Sequence, residues 1–555
     1  MVSSLDLLIL VAFLAVVAGI SIWVSRGEGT RAAYFLAGRG LGPWLIGLSL
    51  IASNISTEHF VGMTGRAAQS GFAVAVYEWL AAPALVFVAW WLLPRFLRAG
   101  IYTVPEFLEY RFDRGCRSLL AALMVIFFVL TVLATVLYSG ATFLSGILDL
   151  PSRLESRFGL SPEAAREWSF QIGVWGIGIA AGVYTVLGGL KAVVWSDLLQ
   201  GSALLIGGAV VSWLALDAYA DGAGAWAGWR AFREAEADRF HLIRSWNDPQ
   251  IPSLSLVTGL WIPVMFYWGL NQFITQRTLA AGSLARGQGG ILIAAALKLA
   301  LPFIVVLPGM VGVELLGEKL DPEHTDGVYP LLLRELLPSG LLGLMLAAVA
   351  GAVMSTFNSG LNSAATVFTL DLWGVHVRPD MAEGDAVRVG RRVTALLAVA
   401  ACLWAPVIHF FSGVFDYIQE LWGFVSAPTC AVFFIGLLRP RVPAGAARTA
   451  LIAGPLVYLA SRAPSWIWKG EAVVAGLPAP LRALHAYSSM AFLYHMFAIF
   501  IALCLMMLVW ERRRPLTAAV VLPDRAAVDL APLPRVRLAG FAVLVATLGL
   551  VLLFW

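Results

Sequence analysis

The stretch SLIASNISTEHFVGM, residues 49–63, sets Asn54, Ser56, Thr57, Glu58 and His59 in the middle of an apolar run long enough to span a bilayer. Polar side chains at that depth are costly unless they face a cavity or a partner, so they mark a site. A second such group is Lys298, about ten residues inside its own apolar run. That depth is roughly 14 Å at ~1.5 Å per residue, more than a lysine bridges by snorkelling. Glu78 lies in a third run and is placed to be its counter-charge; the plain alternative is a purely structural Lys298–Glu78 pair. In LAAVAGAVMSTFNSGLNSAATVFTLD, Ala352, Ser355 and Thr356 fall at i, i+3 and i+4 and share one helix face. A carbonyl beside two hydroxyls is half the oxygen shell a hard monovalent cation needs, the rest coming from an unwound helix opposite. Small and hydroxyl residues are also how membrane helices pack closely, and that reading stands beside the first.

The elements that must hold these residues are membrane helices. The 555 residues are 60% hydrophobic and 13% charged, with a mean hydropathy of +0.82, whereas a soluble domain carries about 25% charge. Apolar windows of ~20 residues recur about fourteen times, the first at 7–24 and the last at 538–555, leaving no soluble domain of usable size. Asp6 rather than a basic region precedes the first run, which reads as a retained helix and not a signal peptide.

The net charge of +4 matters less than where Lys and Arg lie. They cluster in alternate loops: Arg26, Arg31 and Arg39; Arg95, Arg98, Arg111, Arg114 and Arg117; Lys191; Arg277 and Arg286; Arg378, Arg388, Arg391 and Arg392; Arg439, Arg441 and Arg448; Arg512, Arg513 and Arg514. Those loops are expected to be cytoplasmic. Segments 217–252 and 318–327 carry at least as many acids as bases, which puts both termini outside a plasma (inner) membrane for an even number of spans. The basic balance thus reports topology and gives no reason to expect nucleic acid. Cys116, Cys402, Cys430 and Cys504 are scattered without a CxxC, and the seven histidines show no ligand spacing.

Transporters give buried polar groups a purpose through two repeats, each opening with a broken helix whose freed backbone lines a midplane site. Counting five spans from residue 41 (41–67, 71–98, 118–147, 169–190, 193–218) leads to 254–276, where WIPVMFYWGLNQ is expected to be interrupted by Pro263 and Gly269. Five further spans end near residue 437, leaving one helix before the pair and three after it. The expectation is an all-α polytopic membrane protein of about fourteen transmembrane helices. Its parts are a peripheral helix at 1–35, a first repeat at 36–220, an extracellular loop at 221–253, a second repeat at 254–438 and peripheral helices at 439–555.

SLIASNISTEHFVGM, YEWLAA, IYTVPEFLEYRF, GGLKAVVWSDLLQ, WGLNQFITQRTLAA, LKLALPFIVVLPG, LNSAATVFTLDL and FDYIQE together resemble the sodium/solute symporter family, in particular its sodium/glucose and sodium/galactose branch, over residues 36–438 nearly in register. The resemblance implies a leucine-transporter-like (LeuT-like) 5+5 inverted-repeat core that works by alternating access, with Na+ as the coupling ion. It implies a sodium site built from backbone oxygens of Ala52, Ile55 and Ala352 and the hydroxyls of Ser355 and Thr356, with Asp197 on the sodium exit path. For Asp197 a helix N-terminal charge is the competing reading. It implies a sugar site of Asn54, His59, Glu78, Lys298 and Gln419, with Tyr267 as the inner gate and Trp268 beside it. The chemistry suits a polyol, whose hydroxyls both donate and accept: Glu78 accepts, Lys298 donates, Asn54 and Gln419 do both, and an aromatic face meets C–H surface. Two residues depart from the pattern. Val264 stands where sugar-transporting members carry Asn or Thr, and Asn358 replaces a small hydroxyl residue near a possible second sodium position.

The function expected is sodium-driven uptake of a monosaccharide or similar polyol across the lipid bilayer. Within the class the rivals are myo-inositol, an amino acid, a nucleoside or a carboxylate; Glu78 disfavours anions. From other classes the rivals are a solute sensor and an intramembrane enzyme using His59 with Glu58 or Glu78; the enzyme would need a nucleophile or metal, and with no HExxH, GxSxG or metal cluster in the sequence no enzyme is expected.

Overall fold

The computed structural model describes residues 2–24, 30–246, 248, 251–320, 325–410 and 414–555. Arg26 of the first basic cluster and parts of both acidic loops lie outside these residues, as do the side chains of Arg31, Phe415 and Asp416. Every regular element described is helical. Among the described residues eleven segments are long and apolar enough to cross a membrane. They sort by burial: Ser4–Ser21 and Val536–Leu553 are each 17% buried, whereas Glu58–Ala99 and Leu341–His376 are 78% and 83% buried. The helices nearest the chain ends therefore form a rim around the polar ones.

The span at 41–67 is interrupted, and two others take a different form from that expected. Across 41–67 the helix Pro43–Asn54 stops, Ile55 is extended (φ −79°, ψ 113°), and a π-helical turn Glu58–Met63 restarts the chain. Segments 169–190 and 193–218 are not separate helices, because helical structure is continuous over the 58 residues of Pro162–Tyr219. A straight helix of that length would run about 87 Å, far beyond a bilayer. Packing against Leu341–Val367 shows how it fits. Ile177 and Val353 lie together beside Gly140, and Thr185 bonds Asn358 at 2.5 Å, so residue numbers rise in step on that arm. Asp197 meets Ser355 and Gln200 meets Gly351, so they run oppositely on the other. The chain doubles back between 185 and 197 into two antiparallel arms.

The second broken helix is corrected too. Pro263 sits in the first turn of Trp261–Met265, where its missing N–H costs little, and Gly269 lies inside the π-helical turn Phe266–Leu270. The interruption falls at Asn271 (φ −83°, ψ 120°), whose side chain caps Gln272–Leu279 by accepting from Phe273 N at 3.1 Å.

Both chain ends lie on one face. Leu242 N donates to Phe554 O at 2.8 Å, and the amides of Gly340 and Gly343 donate to Asp6 Oδ1 at 2.7 and 2.8 Å. Arg239 pairs with Glu314 at 3.3 Å, joining the first acidic segment to the helix that leads into the second on that face. On the opposite face the sequence motifs lock together. Gln272 Oε1 accepts from Val104 N at 2.8 Å, and Thr103 Oγ1 and Arg117 Nε both donate to Asp371 Oδ1, at 2.8 and 2.7 Å. Arg111 donates to the carbonyls of Gly436 and Arg439 at 2.5 and 2.6 Å, and burial pulls its guanidinium down to about 10. Arg525 N donates to Arg98 O at 2.8 Å, fastening the extended segment after the helix Phe492–Arg513 to the same face.

Candidate functional site

The break at Ile55 leaves Asn54 at the end of one helix and Glu58 and His59 at the start of a wider turn, so all three line one cavity. Glu78, on helix Ala75–Phe87, and Lys298, near the middle of helix Leu284–Leu316, enter from two sides. Tyr267, Trp268 and Val264 come from the second broken helix, Gln419 and Trp422 from Val414–Leu438. All seven residues expected at a substrate site are therefore brought together.

Their hydrogen bonds form one network. Lys298 Nζ reaches Glu78 Oε2 at 2.5 Å and also bonds Asn54 Oδ1, and His59 Nε2 lies 3.3 Å from Glu78 Oε1. Asn54 Nδ2 donates to the Tyr267 hydroxyl at 3.0 Å. The side chains of Lys298 and Glu78 are 1% and 5% exposed, so their charges compensate each other out of reach of bulk water. Lys298 also sits 4.9 Å from the Trp268 ring centroid, and the rings of Tyr267 and Trp422 lie 5.0 Å apart. One wall offers donors and acceptors and another offers aromatic faces, the usual composition of a small-molecule pocket.

The residues expected at the cation site are adjacent. Thr356 Oγ1 donates to Ser53 O at 3.3 Å, which places helix Leu341–Val367 against the end of Pro43–Asn54. Among the described residues no backbone amide bonds the carbonyls of Ala52 or Ile55, as an interrupted helix requires. Ala352 is inside its helix, and its carbonyl keeps a second lone pair. Ser355 Oγ donates to Asp197 Oδ1. Asp197 lies just past the point where the two arms of Pro162–Tyr219 turn back, so the dipole reading stands beside the exit-path one. It is completely buried within Pro162–Tyr219 and paired with Arg277 at 3.1 Å. Arg277, expected as a cytoplasmic loop charge, is itself wholly buried, bonded to Ser49 Oγ at 2.7 Å, to Phe273 O at 2.5 Å and to Ser359. Its position inside a short helix just after the Asn271 break explains the misreading.

Sequence reasoning also left Glu58 unassigned and missed Trp422, yet both line the cavity. Adjacent residues point apart on a helix, but the cavity wall wraps around the restarted turn, so Glu58 and His59 both reach it. Among the described residues no cluster of His, Cys, Asp and Glu suits a transition metal, and the four cysteines are free.

Helices interrupted around a buried polar cavity are the arrangement of a membrane transporter. The sodium:solute symporter family matches residues 34–454, and the chain belongs to that family. It is 37% identical over 460 residues to the sodium/glucose cotransporter of Vibrio parahaemolyticus, covering 78% of this chain and 81% of that protein. It is 33% identical to the uncharacterized symporter YidK of Escherichia coli (strain K12), across 99% of this chain and 90% of that one. It is 34% identical to the human sodium/myo-inositol cotransporter 2, across 82% of this chain and 69% of that one. A solved structure of a Na+-coupled sialic acid symporter superposes with a TM-score of 0.73 over 94% of this chain and 99% of that one at 21% identity, a likeness of fold. The chain is thus a sodium-coupled solute symporter with a leucine-transporter-like fold and not an enzyme.

Proposed function

We propose that the solute is a monosaccharide or related polyol, bound by Asn54, His59, Glu78, Lys298 and Gln419 against Tyr267 and Trp268. The observation that carries this is the Glu78–Lys298–Asn54 network facing aromatic rings in one cavity. Such a wall pairs many hydroxyls and offers no isolated cation for a carboxylate. Sodium is assigned to the oxygens of Ala52, Ile55, Ala352, Ser355 and Thr356, with Asp197 beside them as the acid that receives the ion on its way out. A membrane potential of ~100 mV supplies about 2.3 kcal/mol per charge and a tenfold sodium gradient about 1.4, enough for several-hundred-fold accumulation. A second substrate, myo-inositol, is favoured by the identity to the sodium/myo-inositol cotransporter and presents the same hydroxyl chemistry. Both termini are assigned to the outside of the plasma (inner) membrane, because the acidic loops share their face and the basic motifs occupy the other.

The test is counterflow in proteoliposomes with labelled glucose, galactose and myo-inositol, with sodium or choline. Sodium-dependent exchange of at least one of them without chemical change is expected. Exchange of none, with a labelled amino acid or nucleoside exchanged instead, would remove the polyol reading.

A further inference from the structure

Glu58 is the charge in the cavity that the mechanism above does not use. It lines the main cavity and a much smaller one beside it, which extends to Ser53 and Thr356. The neighbouring charges are committed. Lys298 is held by Glu78 and Asn54, and Arg277 by Asp197 and its hydroxyl partners. His59 presents Nε2 to Glu78, while its Nδ1 is buried without a partner. With Nε2 turned to Glu78, the ring commits its hydrogen bond there and not to Glu58. Of the cavity's two acids, Glu78 is paired with the lysine and Glu58 is not.

The surroundings of Glu58 suit positive charge. Thr131 Oγ1 spends its proton on Phe127 O at 2.5 Å and Thr135 Oγ1 on Thr131 O at 2.9 Å, so these two threonine hydroxyls of the smaller cavity have only lone pairs to offer. Tyr267 and Trp422 line both cavities, and aromatic faces attract cations. Val132 and Val264 complete the walls without adding a donor. An unpaired carboxylate in such a place is costly until a ligand brings the missing charge.

We propose that the solute carries a basic nitrogen: an amino or imino sugar whose ammonium is received by Glu58 beside Tyr267 and Trp422, while its hydroxyls meet the Glu78–Lys298–Gln419 wall. This rests on the polyol reading above. An inorganic cation has the same sign but lacks the hydroxyls, and the experiment separates the two.

Binding of D-glucosamine and D-glucose to the full chain is measured by tryptophan fluorescence in saturating sodium at about pH 6, below the usual amine range near 8. Glucosamine is expected to bind about tenfold tighter or more. E58Q should bring that ratio to one or below, and E58D, which keeps the charge, should retain a preference. Equal affinities in the wild type, or a preference that survives E58Q, overturns the proposal. So does an E58Q that raises the sodium requirement for both sugars equally while leaving their ratio untouched, since Glu58 then serves an inorganic cation. If glucose binds and glucosamine does not, only this inference fails; if neither binds, nor does myo-inositol, the polyol reading falls and takes it along.

Discussion

Glu78 and Lys298 are buried 2.5 Å apart, so neither is replaceable alone without stranding the other's charge. Glu78→Gln or Lys298→Met should each lower unfolding stability by about 3–5 kcal/mol, while the double variant should recover most of that loss yet bind no sugar. Thermal unfolding in detergent alongside labelled-sugar binding checks both halves; additive losses would mean the pair is not coupled. Val264 presents an apolar wall to the same cavity. A solute hydroxyl set against it goes unpaired at a cost of about 1–3 kcal/mol. Val264→Asn should therefore shift selectivity toward galactose by about tenfold, or about 1.4 kcal/mol; flat competition curves would show that Val264 does not meet the sugar. Lysine 298 was legible in the sequence because nothing but function or a partner keeps an amine so deep. Arginine 277 was not, because its partners Asp197, Ser49 and Ser359 come from three distant segments that only the fold assembles.

At the scale of elements, the breaks decide the chemistry, and the two were unequally legible. The first was announced by five polar residues in an apolar run. The second was expected at Pro263 and Gly269, the residues that usually disrupt helices, whereas a capping asparagine ends the turn at Asn271. Propensity identifies a weak helix, but capping chooses the residue at which it stops. The hairpin of Pro162–Tyr219 was legible as two spans from hydropathy, although no loop residue separates its arms. Helix Leu341–Val367, which carries Ser355 and Thr356, starts without a capping side chain of its own. Asp6 supplies one from the first helix, taking the amides of Gly340 and Gly343. Asp6→Ala should cost about 1–3 kcal/mol of stability, the range for charged hydrogen bonds at a helix start. Asp6→Asn should cost less. A variant that unfolds like the wild type would make this contact incidental.

For the whole molecule, sodium should act as a clasp between parts that are far apart in the chain. The first broken helix and Leu341–Val367 meet through Thr356 and Ser53, and the oxygens assigned to the ion come from both. An ion that binds only the folded arrangement stabilises it in proportion to RT ln(1 + [Na+]/Kd), about 2.7 kcal/mol at a hundred times Kd. The unfolding midpoint of purified protein should accordingly climb with sodium and stay level when choline replaces it. Ser355 already donates its proton to Asp197, so the hydroxyl has lone pairs left for a cation and loses nothing by binding one. Ser355→Ala removes that oxygen and should displace the sodium dependence of both the midpoint and transport to concentrations about tenfold higher or more, the ratio corresponding to ~1.4 kcal/mol. Membrane abundance should change much less. If sodium and choline give superimposable melting curves in the wild type, the ion does not bind where these two helices meet; if Ser355→Ala melts lower at every sodium concentration by a constant amount, the serine supports the Asp197 network without touching the ion.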